Sequence, residues 1–311
     1  MLREPFAGRL SIGLLLLAAG CGASPVLAQE TLLGVTVDGS VVTFDSHYPG
    51  VLFSSVPITG LNANDRVLGV DWRPATNSFV AIGETSQLYT LNPATGVATP
   101  IGTGFAPVLE NSPGVRYGID INPTVDRVRV VGANAQNRRL NPVTGGAVQA
   151  DTTLTFNPAL NLSVAPRAVG TAYTNSVPGA PAGSTRQFIL DSFYNILGEV
   201  GSQAGGNASF NGGVVNSALT IMAGGSMVDF GDNAGFDISG VTGVAYASLD
   251  LQSSMPGTPT GIYTIDLASG AAIMRGSTPA GVLLRDVTVV PAPGLAGLLA
   301  GGVLLAGRRR R

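Results

Sequence analysis

The stretch Leu88-Tyr89-Thr90-Leu91-Asn92-Pro93-Ala94-Thr95-Gly96 decides the fold. A short apolar strand runs into an Asn, and the chain turns and leaves on Gly. The Asn side chain accepts a backbone N–H two residues on, which starts the turn locally. The same device returns as Arg139-Leu140-Asn141-Pro142-Val143-Thr144-Gly145 and as Ile262-Tyr263-Thr264-Ile265-Asp266-Leu267-Ala268-Ser269-Gly270. Shorter copies stand at Val42-Thr43-Phe44-Asp45 and Phe188-Ile189-Leu190-Asp191. The Asx positions 45, 92, 141, 191 and 266 are spaced by 47, 49, 50 and 75 residues. Such a period marks a repeat architecture.

Working outward, a second element precedes four of the hairpins. Gly69-Val70-Asp71, Gly118-Ile119-Asp120, Gly170-Thr171-Ala172 and Gly235-Phe236-Asp237 each open an apolar strand. A unit is then four short strands over about 45 to 50 residues, the size of a propeller blade. Unit two runs from Val67 to Phe105, unit three from Val115 to Phe156, unit four from Arg167 to Ile221, and unit five from Asp229 to about Ala280. The first unit begins directly in Leu32 to Val37 and lacks its opening strand. Leu284-Arg285-Asp286-Val287-Thr288-Val289-Val290 has no hairpin of its own and reads as that missing strand. Its pairing with the first unit closes the ring and removes exposed edges. The expectation is an all-β protein: a β-propeller of five four-stranded blades closed by its N- and C-terminal strands. An open β-sandwich or six irregular blades is the alternative. Gly201 to Gly213 and Ala223 to Ser226 read as loops, and Asp229 to Asp237 as a solvated turn that only loosely resembles a Ca²⁺-binding loop.

The ends lie outside this pattern. Residues 1–28 carry a charged start (Arg3, Arg9), an apolar run from Leu10 to Ala19, and Val26-Leu27-Ala28 before Gln29. That is the layout of a secretory signal. The run is too short to span a bilayer, which needs about 20 apolar residues. Leu17-Ala18-Ala19-Gly20-Cys21 offers the competing reading of a lipoprotein signal, with Cys21 lipidated. The domain then covers 29–290, and 291–311 form a tail. In that tail Leu295 to Gly307 carries no charge and Arg308 to Arg311 follow. Gly294 to Gly307 would reach about 21 Å as a helix, short of a hydrocarbon core of about 30 Å. A transient anchor with its positive end held inside fits this tail.

Composition excludes several chemistries. Cys21 is the only cysteine of the 311 residues, so the domain has no disulfide, thiol nucleophile or thiolate metal site. His47, the only histidine, reads as a turn residue beside Tyr48-Pro49-Gly50. There is no lysine. Between the two end segments 11 arginines face 18 acids, a net charge near −7, which argues against nucleic acid as a partner. No Gly-rich phosphate loop, paired-Cys site or Gly-x-Ser-x-Gly elbow is present. The sequence nominates no catalytic residue.

Two resemblances extend this reading. Gly118-Ile119-Asp120-Ile121-Asn122-Pro123-Thr124-Val125-Asp126-Arg127-Val128-Arg129-Val130-Val131 and Gln136-Asn137-Arg138-Arg139-Leu140-Asn141-Pro142-Val143-Thr144-Gly145, with Leu88 to Gly96, resemble a bacterial family of secreted proteins, the domain of unknown function 4394. The similarity covers most of residues 31 to 290 and is weakest in unit four. It implies a propeller-like fold and no assigned activity. The tail, with Pro291-Ala292-Pro293 before its apolar stretch and arginines, resembles the PEP-CTERM sorting signal, whose central Glu is replaced here by Ala292. That resemblance implies processing by a sorting protease and delivery to the surface or extracellular matrix of a Gram-negative bacterium.

Two groups of residues are candidates for chemistry. Asp71, Asp120, Asp237 and Asp286 would form a ring if each opening strand lines the channel, and such a ring repels itself unless a cation neutralises it. Ca²⁺ is the ion it would take, and no other cofactor is expected. Against this stands a role as turn and strand fixtures. Arg127, Arg129 and Arg139, with Arg138 beside them, would present guanidinium groups to a carboxylate or acidic sugar. Against this stands an internal network with Asp120 and Asp126. The function expected is a non-enzymatic surface or matrix protein that binds a polysaccharide or a surface protein, touching membrane only through its terminal segments. The alternative is a Ca²⁺-dependent hydrolase or lactonase-like propeller.

Overall fold

A computed structural model describes residues 29–110, 115–201, 209–252 and 257–291 of the chain. The segment read as a secretory leader, Cys21 within it, and the apolar, Arg-ended stretch of residues 292–311 lie outside the described residues. Among those described there is no α-helix, only single 3₁₀ turns at Pro158–Leu160 and Phe210–Gly212. None is long and apolar enough to cross a membrane.

The strands form five blades around a channel, antiparallel except where Thr155–Phe156 lies parallel to Val214–Val215, and Met222–Ala223 pairs with Ser226–Met227 in a separate small hairpin where a loop was expected. Blade 2 is Val67–Arg73, Ser78–Gly83, Leu88–Leu91 and Ala98–Ile101. Blade 3 is Tyr117–Asn122, Arg127–Gly132, Asn137–Leu140 and Ala147–Ala150. Blade 4 runs Ala168–Tyr173, Gln187–Asp191 and Ile196–Val200, and its outer edge is split between Val214–Val215 and Leu219–Thr220. Blade 5 is Phe230–Ile238, Ala245–Leu251, Gly261–Ile265 and Ala272–Ser277. Blade 1 takes Thr31–Thr36, Ser40–Asp45 and Tyr48–Pro57 from the beginning of the domain and Leu284–Val290 from its end. Register runs from Thr31 opposite Val290 to Thr36 opposite Leu284, so the first and last strands close the ring as expected.

The five Asx positions make the turns assigned to them. Asn92 Oδ1 accepts the amides of Ala94 and Thr95 at 3.0 and 3.2 Å, and Asn141 and Asp266 repeat the pattern. Asp191 accepts from Phe193 and Tyr194, and Asp45 from His47, which places His47 in a turn. The closing glycines Gly96, Gly145 and Gly270 all have φ between 71° and 75°. A side chain there would also collide with the preceding blade: a Cβ on Gly96 would sit 2.1 Å from Pro57 O, and one on Gly145 2.0 Å from Ile101 O. Glycine therefore sets both the turn and the spacing between blades.

Five apolar clusters fill the wedges between adjacent blades. Leu68, Val80, Ile82 and Leu88 of blade 2, for example, meet Ile119, Ile121, Val128 and Val130 of blade 3. Each such side chain contributes about 1.5–3 kcal/mol on burial. Both faces of a sheet are thus apolar, one toward each neighbour: Val80, Ile82 and Leu88 face blade 3, and Phe79, Ala81 and Tyr89 between them face blade 1. Residues 229–237 depart from the expected turn. Phe230–Ile238 is one nine-residue strand, bulged between Phe230 and Ala234, because the apolar Phe230, Ala234 and Phe236 pack into the wedge core.

Candidate functional site

The innermost strands meet around the channel in the order Leu284–Val290, Val67–Arg73, Tyr117–Asn122, Ala168–Tyr173, Phe230–Ile238 and back to the first. They come close because Gly69, Gly118, Gly170 and Gly235 each face the next inner strand without a side chain between. A Cβ on Gly118 would lie 2.6 Å from Gly170 Cα. Two residues beyond each glycine, Asp71, Asp120 and Asp237 converge, with one carboxylate oxygen from each within 4.8 Å of the others. All three are buried.

The convergence has a local cause. No ladder joins one inner strand to the next, so its inward amides need another acceptor. Each side chain at this level takes the amide following the equivalent residue of the next blade. Asp71 Oδ2 accepts from Ile121 N at 2.8 Å, Asp237 Oδ2 from Val289 N at 2.6 Å, and Thr288 Oγ1 from Trp72 N at 3.3 Å. The Tyr173 amide bonds to Asp120 in the same way. Blade 4 has Ala172 here and supplies no acceptor, and Ile238 N turns to Asp237 Oδ1 of its own strand. Thr288 also donates its hydroxyl between Asp237 Oδ2 at 2.8 Å and Asp71 Oδ1 at 3.0 Å.

Asp286 does not join the trio. It stands one step along the channel, at the level of the glycines, where it accepts Val70 N at 3.0 Å and Val287 N at 2.9 Å. The residue equivalent to Asp71, Asp120 and Asp237 is Thr288. A sequence signal marks this register: Pro291 follows Thr288 by three residues, as Pro74 follows Asp71 and Pro123 follows Asp120. Alignment on the acid alone conceals it.

Burial first, then repulsion from Asp237, pushes the Asp71 carboxyl well above the usual carboxylate range. Burial, then Asp71 and Asp237, does the same to Asp120. Burial raises Asp237 and Asp286 as well. Two like charges 4.8 Å apart repel by about 3–4 kcal/mol at an effective dielectric constant near 20. The trio therefore cannot stay fully ionised without a compensating positive charge or a shared proton. Among the described residues the strongest influences on these three carboxyls are burial, other acids and hydrogen-bond donors, not a cation.

Above the trio, where the inner strands end, a cavity of about 1180 Å³ opens. Asp237 lines its floor. Trp72, Phe79 and Val289 give it apolar wall, and Asn77, Thr90 and Thr99 give it hydrogen-bonding groups. Its only charged lining residues are Asp237 and Glu30, and Glu30 already accepts the hydroxyls of Ser239, Thr242 and Tyr246. This cavity was not foreseen from the sequence, since its lining comes from loops and strand ends of several blades.

The arginines lie elsewhere. Arg127, Arg129 and Arg139 border a small cavity of about 350 Å³. Arg129 is buried and spends its donors on Asp151, Asn137, Asn211 and the Tyr173 hydroxyl, and Arg139 also binds Asp151. Arg127 bonds the carbonyls of Val125 and Asp126. The internal partner of Arg129 and Arg139 is thus Asp151 rather than Asp120 or Asp126, and Asp126 pairs with Arg73. Arg138 borders a separate pocket beside Pro107.

Two solved structures are similar to the chain at low identity. The chain is similar to PorZ, an essential bacterial surface component of the type-IX secretion system of Porphyromonas gingivalis, at 14% identity and a TM-score of 0.36, over 81% of this chain and 30% of that one. It is similar to the Dos1 propeller at 14% identity and a TM-score of 0.39, over 78% of this chain and 57% of that one. The chain thus spans less than two thirds of either. No curated relative matches it. Residues 40–288 match a family model directly, and the chain belongs to that family, described as Domain of unknown function (DUF4394).

Proposed function

We propose that this protein is an exported, non-enzymatic binding protein of the bacterial surface or extracellular matrix, and that it holds a neutral polysaccharide in the cavity above the channel. The observation that carries this reading is the lining of that cavity. Aromatic and aliphatic wall alternates with amide and hydroxyl groups, and among the described residues the ionisable groups of the lining are all acidic. Such a surface suits a ligand rich in hydroxyls and repels an anionic one. Export rests on the leader and the tail, which a sorting protease would process. The buried carboxylates favour binding over turnover, because they are committed to the amides of neighbouring blades. One observation favours the alternative of a metal-dependent hydrolase: Asp237 belongs to the acid trio and also lines the cavity.

The test is titration of the protein with neutral and acidic oligosaccharides by calorimetry, alongside Thr90→Trp and Thr99→Trp. Both threonines are exposed on the cavity wall, so a bulky ring fills space without disturbing the core. Binding of a neutral glycan, lost at least about tenfold in both variants, supports the reading. Binding that ignores the variants, or is confined to acidic glycans, overturns it. Turnover of lactone or glycoside substrates in the presence of Ca²⁺ would establish the hydrolase instead.

A further inference from the structure

The unpartnered oxygen of Asp120 shows what the trio lacks. Both oxygens of Asp71 and both of Asp237 receive hydrogen bonds, from Ile121, Thr288, Ile238 and Val289. Asp120 receives the Tyr173 amide, yet its Oδ1 is buried with no hydrogen-bond partner. Asp120 is 1% exposed, so water does not serve that oxygen from the surface. A buried carboxylate oxygen left bare carries the full desolvation penalty of the group.

The spacing of the trio fits a specific occupant. Ca²⁺ binds oxygens at 2.3–2.6 Å, so two ligands on opposite sides of it lie about 4.6–5.2 Å apart. The three carboxylates offer oxygens within 4.8 Å of one another, so an ion seated among them would stand no more than about 2.8 Å from each, a gap that a small closing of the side chains reduces to Ca²⁺ contacts. Mg²⁺ demands a near-ideal octahedron and gives up its waters reluctantly, whereas Ca²⁺ accepts an irregular set of oxygens such as three carboxylates from three blades. The donor set is all oxygen, which suits a hard cation, and three carboxylates more than match its charge. The chain contains no lysine, and its one histidine sits in an outer turn, so neither supplies the positive charge. Asp237 lines the open cavity, which gives an ion access without unfolding.

We infer that Asp71, Asp120 and Asp237 together bind one Ca²⁺ ion at the floor of the cavity, with Asp120 Oδ1 as the ligand that has no other role. The ion would tie blades 2, 3 and 5 together across the channel. This inference does not depend on the polysaccharide reading, and failure of either leaves the other standing.

The experiment uses the purified protein, stripped with EDTA and titrated with CaCl₂ by calorimetry and by thermal melting. One ion bound per chain is expected. At a hundredfold excess over Kd the melting temperature should rise by about 5–10 °C. Asp120→Asn should weaken Ca²⁺ binding at least about tenfold. It should also melt at the same temperature as the wild type in EDTA, or higher, because one buried charge is gone. Asp286→Asn, which leaves the trio intact, should bind Ca²⁺ as the wild type does. Should Asp120→Asn fail to fold, the wild-type titration and Asp286→Asn decide the matter. Melting that is indistinguishable in EDTA and in about 5 mM CaCl₂, above the weakest range of extracellular Ca²⁺ modules, overturns the inference. So does Ca²⁺ binding that Asp120→Asn leaves unchanged.

Discussion

The carboxylate of Asp286 occupies the space that a side chain on Gly235 would need. A Cβ on Gly235 would stand 2.5 Å from Asp286 Oδ1 and 2.6 Å from Asp286 Cα. The second contact is with backbone, so no rotation of the aspartate relieves it. Gly235→Ala should therefore lower stability by about 3 kcal/mol or more, above the usual range for overpacking. Gly118→Ala, which meets the backbone of Gly170, should cost a similar amount. Urea denaturation checks this: the midpoint falls with the slope unchanged.

Asp286 also gives the protein a pH signature. Burial raises its carboxyl well above the ordinary value, so folding favours the neutral form. That contribution is fully present below the unfolded pKa, about 3.9, and is lost as pH rises through the folded pKa. Asp286→Asn removes the titration. The melting temperature of the variant relative to wild type, in EDTA, should therefore climb as pH rises above about 4. A difference that is flat across this range would assign Asp286 an ordinary pKa.

Asp151 and Glu199 form ion pairs of very different worth. Asp151 is buried against Arg129 and Arg139, and Arg129 is itself 2% exposed. Asp151→Ala strands a buried guanidinium and should cost about 3–5 kcal/mol. Glu199 pairs with the more exposed Arg186, and Glu199→Ala should cost at most about 1 kcal/mol. Denaturant midpoints of the two variants, side by side, test the contrast.

Closure should be essential. Removal of residues 284–290 leaves Thr31–Thr36 without its inner partner and opens the Leu32, Val42 and Phe44 cluster to water. The expected product is aggregated, because an unpaired apolar edge recruits other strands. Size-exclusion chromatography of the shortened protein reads this directly.

Much of this was legible in the sequence, and what was hidden had physical causes. The hairpins declare themselves because an Asx turn is local: Asn92 and the amides it binds lie within four residues. Blade limits and ring closure follow from those turns. Register in the last strand was harder, because Asp286 mimics the acid of its neighbours while Thr288 holds the position. The partner of Arg129 and Arg139 was hidden because Asp151 lies outside the repeat pattern that pointed to Asp120 and Asp126. The strand at Phe230–Ile238 was masked by its polar residues Asp232 and Asn233, which fall in the bulge. The cavity has no sequence signature at all, since Trp72, Thr90, Ser176 and Val241 come together only once the ring exists.

The pairing of Thr31 with Val290 also sets a timetable. The first strand of the domain to leave the ribosome waits for the last. Until some 250 further residues have followed, blade 1 is incomplete and the ring has a gap between blades 5 and 2. Contacts this distant along the chain make closure a late and comparatively slow event. A polypeptide that cannot lock until its last strand has emerged stays threadable for longer, which suits the export proposed for it.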